Sequence, residues 1–229
     1  MNDKSTTLLL VAGGKGIRMG SAVPKQFLPL LDKPLIYYPI QIFLDTFPDG
    51  KIVLVLPKAH FSYANILLQA FNGNIELTIV AGGETRFHSV SNGLKEIEDG
   101  IVFIHDGVRP FIDKKLLTDC FGAALEHGNA IPATAVTDSI RQWDGTAFKA
   151  IDRSHLRSMQ TPQTFDVKLI KKAFEQEYND VFTDEATMLE HMGVPINLIE
   201  GSRSNIKITT PEDMIMAEAL MQLQNNSTI

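Results

Sequence analysis

The chain has 229 residues, 44% of them hydrophobic, and a formal net charge of -6. That length and apolar content suit a single α/β domain over residues 1–229 with an inserted arm, and the negative balance argues against nucleic-acid partners. One cysteine, Cys120, excludes an intrachain disulfide, six scattered histidines lack zinc-ligand spacing, and no apolar run approaches the ~20 residues that span a bilayer.

The segment Met1 to Thr7 is polar and lacks the layout of a signal peptide, so a cytoplasmic protein with no membrane partner is expected. Thr7 to Ala12, Lys51 to Leu56, Leu77 to Ala81 and Ile101 to His105 are nearly continuous apolar runs. Strands covered by helices on both faces read this way. Helical patterns lie between them: part of Ile36 to Phe47, His60 to Phe71, His88 to Ile97, and Lys114 to His127, where Cys120 reads as core. The alternation predicts a mostly parallel sheet. Pro39 either starts or kinks its helix. Ala133 to Ile151 breaks the rhythm. Asp144-Gly145 between two short extended runs predicts a hairpin arm. Thr210, Pro211 and Asp213 open the last helix as a capping box.

Three turns carry the chemistry. The first, Ala12-Gly13-Gly14-Lys15-Gly16-Ile17-Arg18, follows strand one. It fits neither the P-loop nor the dinucleotide fingerprint. By itself it is a tight turn or an anion cradle. Lys15, Arg18 and Lys25, bunched beside it in an acidic chain, favour a triphosphate over a merely solvated basic surface. The second turn, Gly82-Gly83-Glu84-Thr85-Arg86-Phe87-His88-Ser89, is either a close backbone approach to a flat base or an ordinary helix start. The third, His105-Asp106-Gly107-Val108-Arg109-Pro110, ends strand four, where open α/β sheets place ligands. Its position suits Asp106 to Mg²⁺, with a helix cap or an ion pair to Arg109 as the plainer role.

In order, the segments AGGKGIRMG, PKQF, GGETRFHSV, HDGVRP, DRSHLRSMQTPQTF, FTDEATMLE and EGSRSNIKITTPEDM resemble the 2-C-methyl-D-erythritol 4-phosphate cytidylyltransferase family of the non-mevalonate isoprenoid pathway. The resemblance implies a Rossmann-like, GT-A-like nucleotidyltransferase sandwich of three layers. Its implied reaction transfers CMP from CTP to 2-C-methyl-D-erythritol 4-phosphate with release of pyrophosphate, and its implied cofactor is Mg²⁺. It implies that Gly14, Lys15, Gly16, Arg18 and Lys25 wrap the CTP phosphates, with Ala12 and Gly13 also nucleotide-binding. Gly82, Gly83, Arg86 and Ser89 would line the nucleotide pocket, and Asp106 would hold the metal. Arg18, Lys25 and Lys207 would be catalytic cations. Arg109, Ser139, Arg153, Thr161, Thr183 and Lys207 would surround the acceptor. Gly107 and Val108 replace a usual pair of alanines, and Ser139 replaces a usual threonine. A homodimer joined through an arm at residues 133–156 is also implied; a monomer with the arm folded back is the alternative. The rival activities are ribitol 5-phosphate cytidylyltransferase and a non-catalytic nucleotide-binding homologue.

Overall fold

A computed structural model describes residues 4–13 and 23–226. Strand β1 (Thr6–Val11) is buried along almost its whole length. A short hairpin, β2 (Pro29–Leu30) with β3 (Lys33–Pro34), leads into α1 (Tyr37–Thr46). Pro39 lies in the first turn of α1, where a missing N–H has no intrahelical acceptor to lose, so it starts the helix rather than kinking it. Next come β4 (Lys51–Leu56), α2 (Ala64–Ala70), β5 (Leu77–Ala81), α3 (Arg86–Leu94), β6 (Ile101–Asp106) and α4 (Lys114–His127). Strands β4 and β5 and helix α4 have the predicted limits. The expected helix from His60 begins instead as 3₁₀ turns over Lys58–Tyr63. Helix α3 begins two residues early because Thr85 caps it, accepting the His88 N–H.

Strand β7 (Asn129–Ala135) leads to the arm, where β8 (Arg141–Trp143) and β9 (Phe148–Ala150) pair antiparallel. Asp144 Oδ1 closes their turn by accepting the Thr146 and Ala147 N–H groups, each at 2.9 Å. The chain returns through β10 (Arg157–Met159), β11 (Gln163–Asp166), α5 (Val167–Ala173), α6 (Glu185–His191), β12 (Leu198–Glu200) and α7 (Pro211–Asn226). The capping box at α7 forms, and Thr209 joins it: Asp213 Oδ2 accepts the Thr209 and Thr210 N–H groups at 2.7 and 2.9 Å.

The main sheet has the order β10-β7-β11-β6-β1-β4-β5, with β12 beside β7. Strands β6, β1, β4 and β5 are parallel, whereas β11 runs antiparallel to β6 and β10 antiparallel to β7. Alternation along β1 feeds two cores. Leu8 and Leu10 pack with Ile40 and Phe43 of α1, Leu67 of α2 and Leu117 of α4. Leu9 packs with Val90 of α3, Ile170 of α5 and Leu189 of α6. Helices therefore cover both faces, giving the expected three-layer architecture. Cys120 is fully buried in the first core, and burial pushes its thiol up to about 12. From β1 the chain builds outward to β4 and β5, then crosses back to lay β6 on the other side of β1. Open sheets hold ligands at such a reversal, beyond the strands' C-terminal ends.

Candidate active site

A cleft of about 520 Å³ opens at that reversal. Ala12 and Gly13 border it from the end of β1, Lys58 from the end of β4, Gly82 and Gly83 from the end of β5, and Asp106 from the end of β6. Lys25 enters from the 3₁₀ turn Lys25–Phe27 and Lys207 from the loop before α7. Lys25 Nζ donates to Ile208 O at 2.9 Å, which joins the two cation-bearing segments.

Asp106 sits at the centre of the charge. Lys207 Nζ lies 2.9 Å and Arg109 Nε 3.4 Å from its Oδ2, and Arg86 Nε lies 3.7 Å from its Oδ1. Burial by itself would raise this carboxyl. Arg86, Lys207 and Arg109 outweigh burial and hold it far below the usual carboxylate range. Arg86 also pairs with Glu185, which is almost wholly buried at the start of α6. Burial would lower the Arg86 guanidinium, but Glu185 and Asp106 hold it firmly in its charged form.

The Gly82-Gly83 turn is shaped from beneath. Ser89 Oγ accepts the Gly83 N–H at 3.1 Å and donates to Thr85 O at 2.9 Å. A Cβ on Gly83 would stand 2.4 Å from His88 Cβ, so only glycine fits against the first turn of α3. The arrangement presents a flat strip of backbone beside four cationic side chains and the ionised Asp106 carboxylate.

The family model for 2-C-methyl-D-erythritol 4-phosphate cytidylyltransferase matches residues 6–223. The chain belongs to this family. It is 44% identical to the Bacteroides fragilis 2-C-methyl-D-erythritol 4-phosphate cytidylyltransferase over 216 residues, 94% of this chain and 99% of that one. The Geobacillus kaustophilus enzyme of the same name is 41% identical, with 93% and 95% covered. Among solved structures, the Anaerococcus prevotii 4-diphosphocytidyl-2C-methyl-D-erythritol synthase superposes with a TM-score of 0.80 at 27% identity, covering 96% of this chain and 99% of that one. The Thermus thermophilus cytidylyltransferase gives 0.73 at 27% identity, with 93% and 98% covered.

Of the residues assigned by family resemblance, Ala12, Gly13, Lys25, Gly82, Gly83, Arg86, Ser89, Asp106 and Lys207 line the one cleft. Gly14, Lys15, Gly16 and Arg18 lie outside the described residues. Arg109 and Thr161 stand behind the carboxylate rather than on the cleft wall. Arg109 Nη1 donates to Asn205 O at 2.7 Å, and Thr161 Oγ1 accepts the Asp106 N–H at 3.1 Å. Ser139, Arg153 and Thr183 are exposed and do not line the cleft. Arg153 Nη1 donates to Thr137 O at the base of the arm, and Thr183 Oγ1 lies 3.3 Å from Thr187 Oγ1.

Sequence reasoning missed Lys58 and Glu185. Lys58 had a usable signal, because it follows β4 at the same end of the sheet as Asp106. Glu185 lay inside the family-like segment FTDEATMLE, but its pairing with Arg86, 99 positions away, had no local signal.

Proposed function

We propose that the chain transfers CMP from CTP to 2-C-methyl-D-erythritol 4-phosphate, giving 4-diphosphocytidyl-2-C-methyl-D-erythritol and pyrophosphate, a step of non-mevalonate isoprenoid biosynthesis. It is a cytidylyltransferase. Its full-length membership in that family carries the reading, and the cationic cleft around Asp106 supports it chemically.

The acceptor phosphate is already an anion, so its attack on the α-phosphorus of CTP requires no general base. What the reaction requires is that two strongly negative reactants be held together and that charge added in the transition state be stabilised. Lys25 and Lys207 stand on the cleft wall for this, Lys25 donating to Ile208 O on the segment that carries Lys207, and Lys207 pairing with Asp106. Arg18, on the glycine-rich loop, is the third cation of the proposal. The strip around Gly83 is a seat for cytosine, held in shape by Ser89 from below.

Asp106 is the proposed Mg²⁺ residue. Its carboxylate is ionised and hard, and the described residues contain no group of three or more His, Cys, Asp or Glu side chains that would form a cage. One carboxylate plus phosphate oxygens and water is the donor set Mg²⁺ prefers. When bound, the ion would neutralise phosphate charge. Among the described residues no helix is long and apolar enough to cross a membrane; a cytoplasmic location is part of the proposal, and the single buried, unpaired Cys120 is compatible with a reducing compartment.

We also propose a homodimer joined through the arm at residues 133–156. Trp143 and Phe148 pack against each other with ring centroids 4.9 Å apart, yet remain 54% and 68% exposed. A second arm would cover them. Ser139, Arg153 and Thr183 would then complete acceptor pockets, with Ser139 and Arg153 reaching across the interface.

The deciding assay measures pyrophosphate release from CTP with 2-C-methyl-D-erythritol 4-phosphate and, separately, with ribitol 5-phosphate. Release with the first alone is expected. Preference for the second would overturn the substrate assignment.

A further inference from the structure

We infer that His105 and Thr161 form a hydrogen-bond relay that positions Asp106, and that Thr161 acts through this relay rather than by touching the acceptor. What Asp106 does rests on the cytidylyltransferase reading; the relay itself rests on geometry.

His105 is fully buried, one residue before Asp106. Its Nε2 lies 3.0 Å from Arg109 O. A carbonyl can only accept, so Nε2 carries the ring proton. In the neutral ring, Nδ1 is then a bare lone pair. It lies 2.9 Å from Thr161 Oγ1, so the threonine hydroxyl must donate to it. With its hydrogen committed, Thr161 Oγ1 accepts the Asp106 backbone N–H at 3.1 Å. Each proton in the chain has one permitted place.

The relay grips both ends of a single turn. Arg109 N donates to Asp106 O at 3.1 Å, and His105 holds Arg109 O from below. The turn therefore aims the Asp106 carboxylate and the Arg109 guanidinium as one unit. Thr161 has little left for a substrate. It is only 6% exposed, its carbonyl accepts Asn205 Nδ2 at 2.8 Å, and it is not among the cleft-lining residues. Both side chains are therefore positioning residues for the charge at Asp106.

A substrate contact and a positioning contact separate in the kinetics. Thr161→Val keeps the shape and removes the hydroxyl. It should lower kcat by about tenfold or more while leaving both KM values within about threefold. Thr161→Ser, which keeps the hydroxyl, should recover most of the loss. Thr161→Val combined with His105→Asn should be no worse than the weaker single variant, because the two act as a unit. A raised KM for methylerythritol phosphate with kcat preserved would show that Thr161 touches the acceptor. Unchanged constants in Thr161→Val, or multiplicative losses in the double variant, would equally overturn the relay. If His105→Asn does not fold, the Thr161→Val and Thr161→Ser pair still decides. Imidazole ¹⁵N NMR on the full chain supplies a readout independent of turnover. The Nε2–H tautomer is expected, with an Nδ1 resonance that moves in Thr161→Val; an Nδ1–H tautomer or an unmoved resonance refutes the relay. Absence of pyrophosphate release by the unmodified enzyme would refute the cytidylyltransferase reading and leave the NMR test standing.

Discussion

Lys207 Nζ lies 2.9 Å from Asp106 Oδ2, a contact between residues 101 positions apart in the chain. It closes the loop before α7 over the end of β6. The same loop accepts Lys25 through Ile208 O and Arg109 through Asn205 O. One short segment thus supplies Lys207 to Asp106, anchors Arg109 beside the same carboxylate, and fixes Lys25 at the cleft wall.

Lys25→Ala tests the cation that follows the glycine-rich segment in the sequence. Its Nζ stands on the cleft wall and donates to Ile208 O, and its loss should leave the fold intact. Removing a transition-state cation costs ~3 kcal/mol, about a hundredfold in turnover. Steady-state kinetics paired with thermal melts check this. Near-normal turnover would remove Lys25 from the catalytic set.

Asp106→Asn keeps the shape and removes the charge at the proposed metal position. The variant should need far more Mg²⁺ or show no turnover. Arg86, Arg109 and Lys207 would also lose their shared anion, and stranding partly buried cations typically costs a few kcal/mol. Magnesium titration and urea unfolding read the two effects separately. A titration that overlays the unmodified enzyme would make Asp106 purely structural.

Gly83→Ala tests the base seat. The added methyl would start 2.4 Å from His88 Cβ, so the turn must lift away from α3. KM for CTP should rise by about tenfold or more, with preference for CTP over UTP reduced. Unchanged CTP affinity would place the cytosine elsewhere. The unmodified enzyme should prefer CTP to UTP, ATP and GTP, and equal use of UTP would likewise remove cytosine from this seat.

Acid should weaken the fold through His105. Burial pushes its imidazole down to about 4, with Asp106 and Arg109 the charged groups facing it. An unfolded histidine titrates near ~6.5, so between ~6.5 and about 4 the unfolded chain binds the extra proton. This contribution is whole above ~6.5 and shrinks as pH falls, by about 2 kcal/mol from pH 7 to 5. Asp106 adds nothing in that window, because its carboxyl stays ionised in both states. Urea unfolding at pH 7 and 5 should show a smaller loss for His105→Gln than for the unmodified chain. Equal losses would assign the acid sensitivity to other groups.

The arm predicts a dimer. Replacing Trp143 and Phe148 with serine should yield monomers in sedimentation at micromolar concentration. Mixing Arg153→Ala with Lys25→Ala should restore part of the activity after subunit exchange, because one site in each mixed dimer is then complete. With exchange verified by mass spectrometry, an absence of recovery would confine Arg153 to its own subunit's site.

Much of the fold was legible because its signals are local. An apolar run such as Leu8, Leu9, Leu10 declares a strand covered on both faces, and Thr210 with Asp213 declares a helix start. Asp144-Gly145 declared the arm's turn, and Asp144 closes it through three hydrogen bonds within three residues. Asp106 and Lys25 were legible as charges at strand and turn ends, and family resemblance supplied Lys207. The helix limits near His60 and His88 were less legible, since a cap and a run of 3₁₀ turns each shift a boundary without changing the hydrophobic pattern.

Residue order alone establishes which side chains bear charge, where strands alternate with helices, and that an acidic chain keeps cations near its glycine-rich turns. Folding sets what those groups do to one another. Ser89 shapes the Gly83 turn, Thr161 holds the Asp106 N–H, and Glu185 secures Arg86. Separation along the chain is the cause. Hydrogen bonds and charges act over a few ångströms, and the topology that brings Arg86, Asp106, Glu185 and Lys207 within that range is set by the packing of the whole sheet.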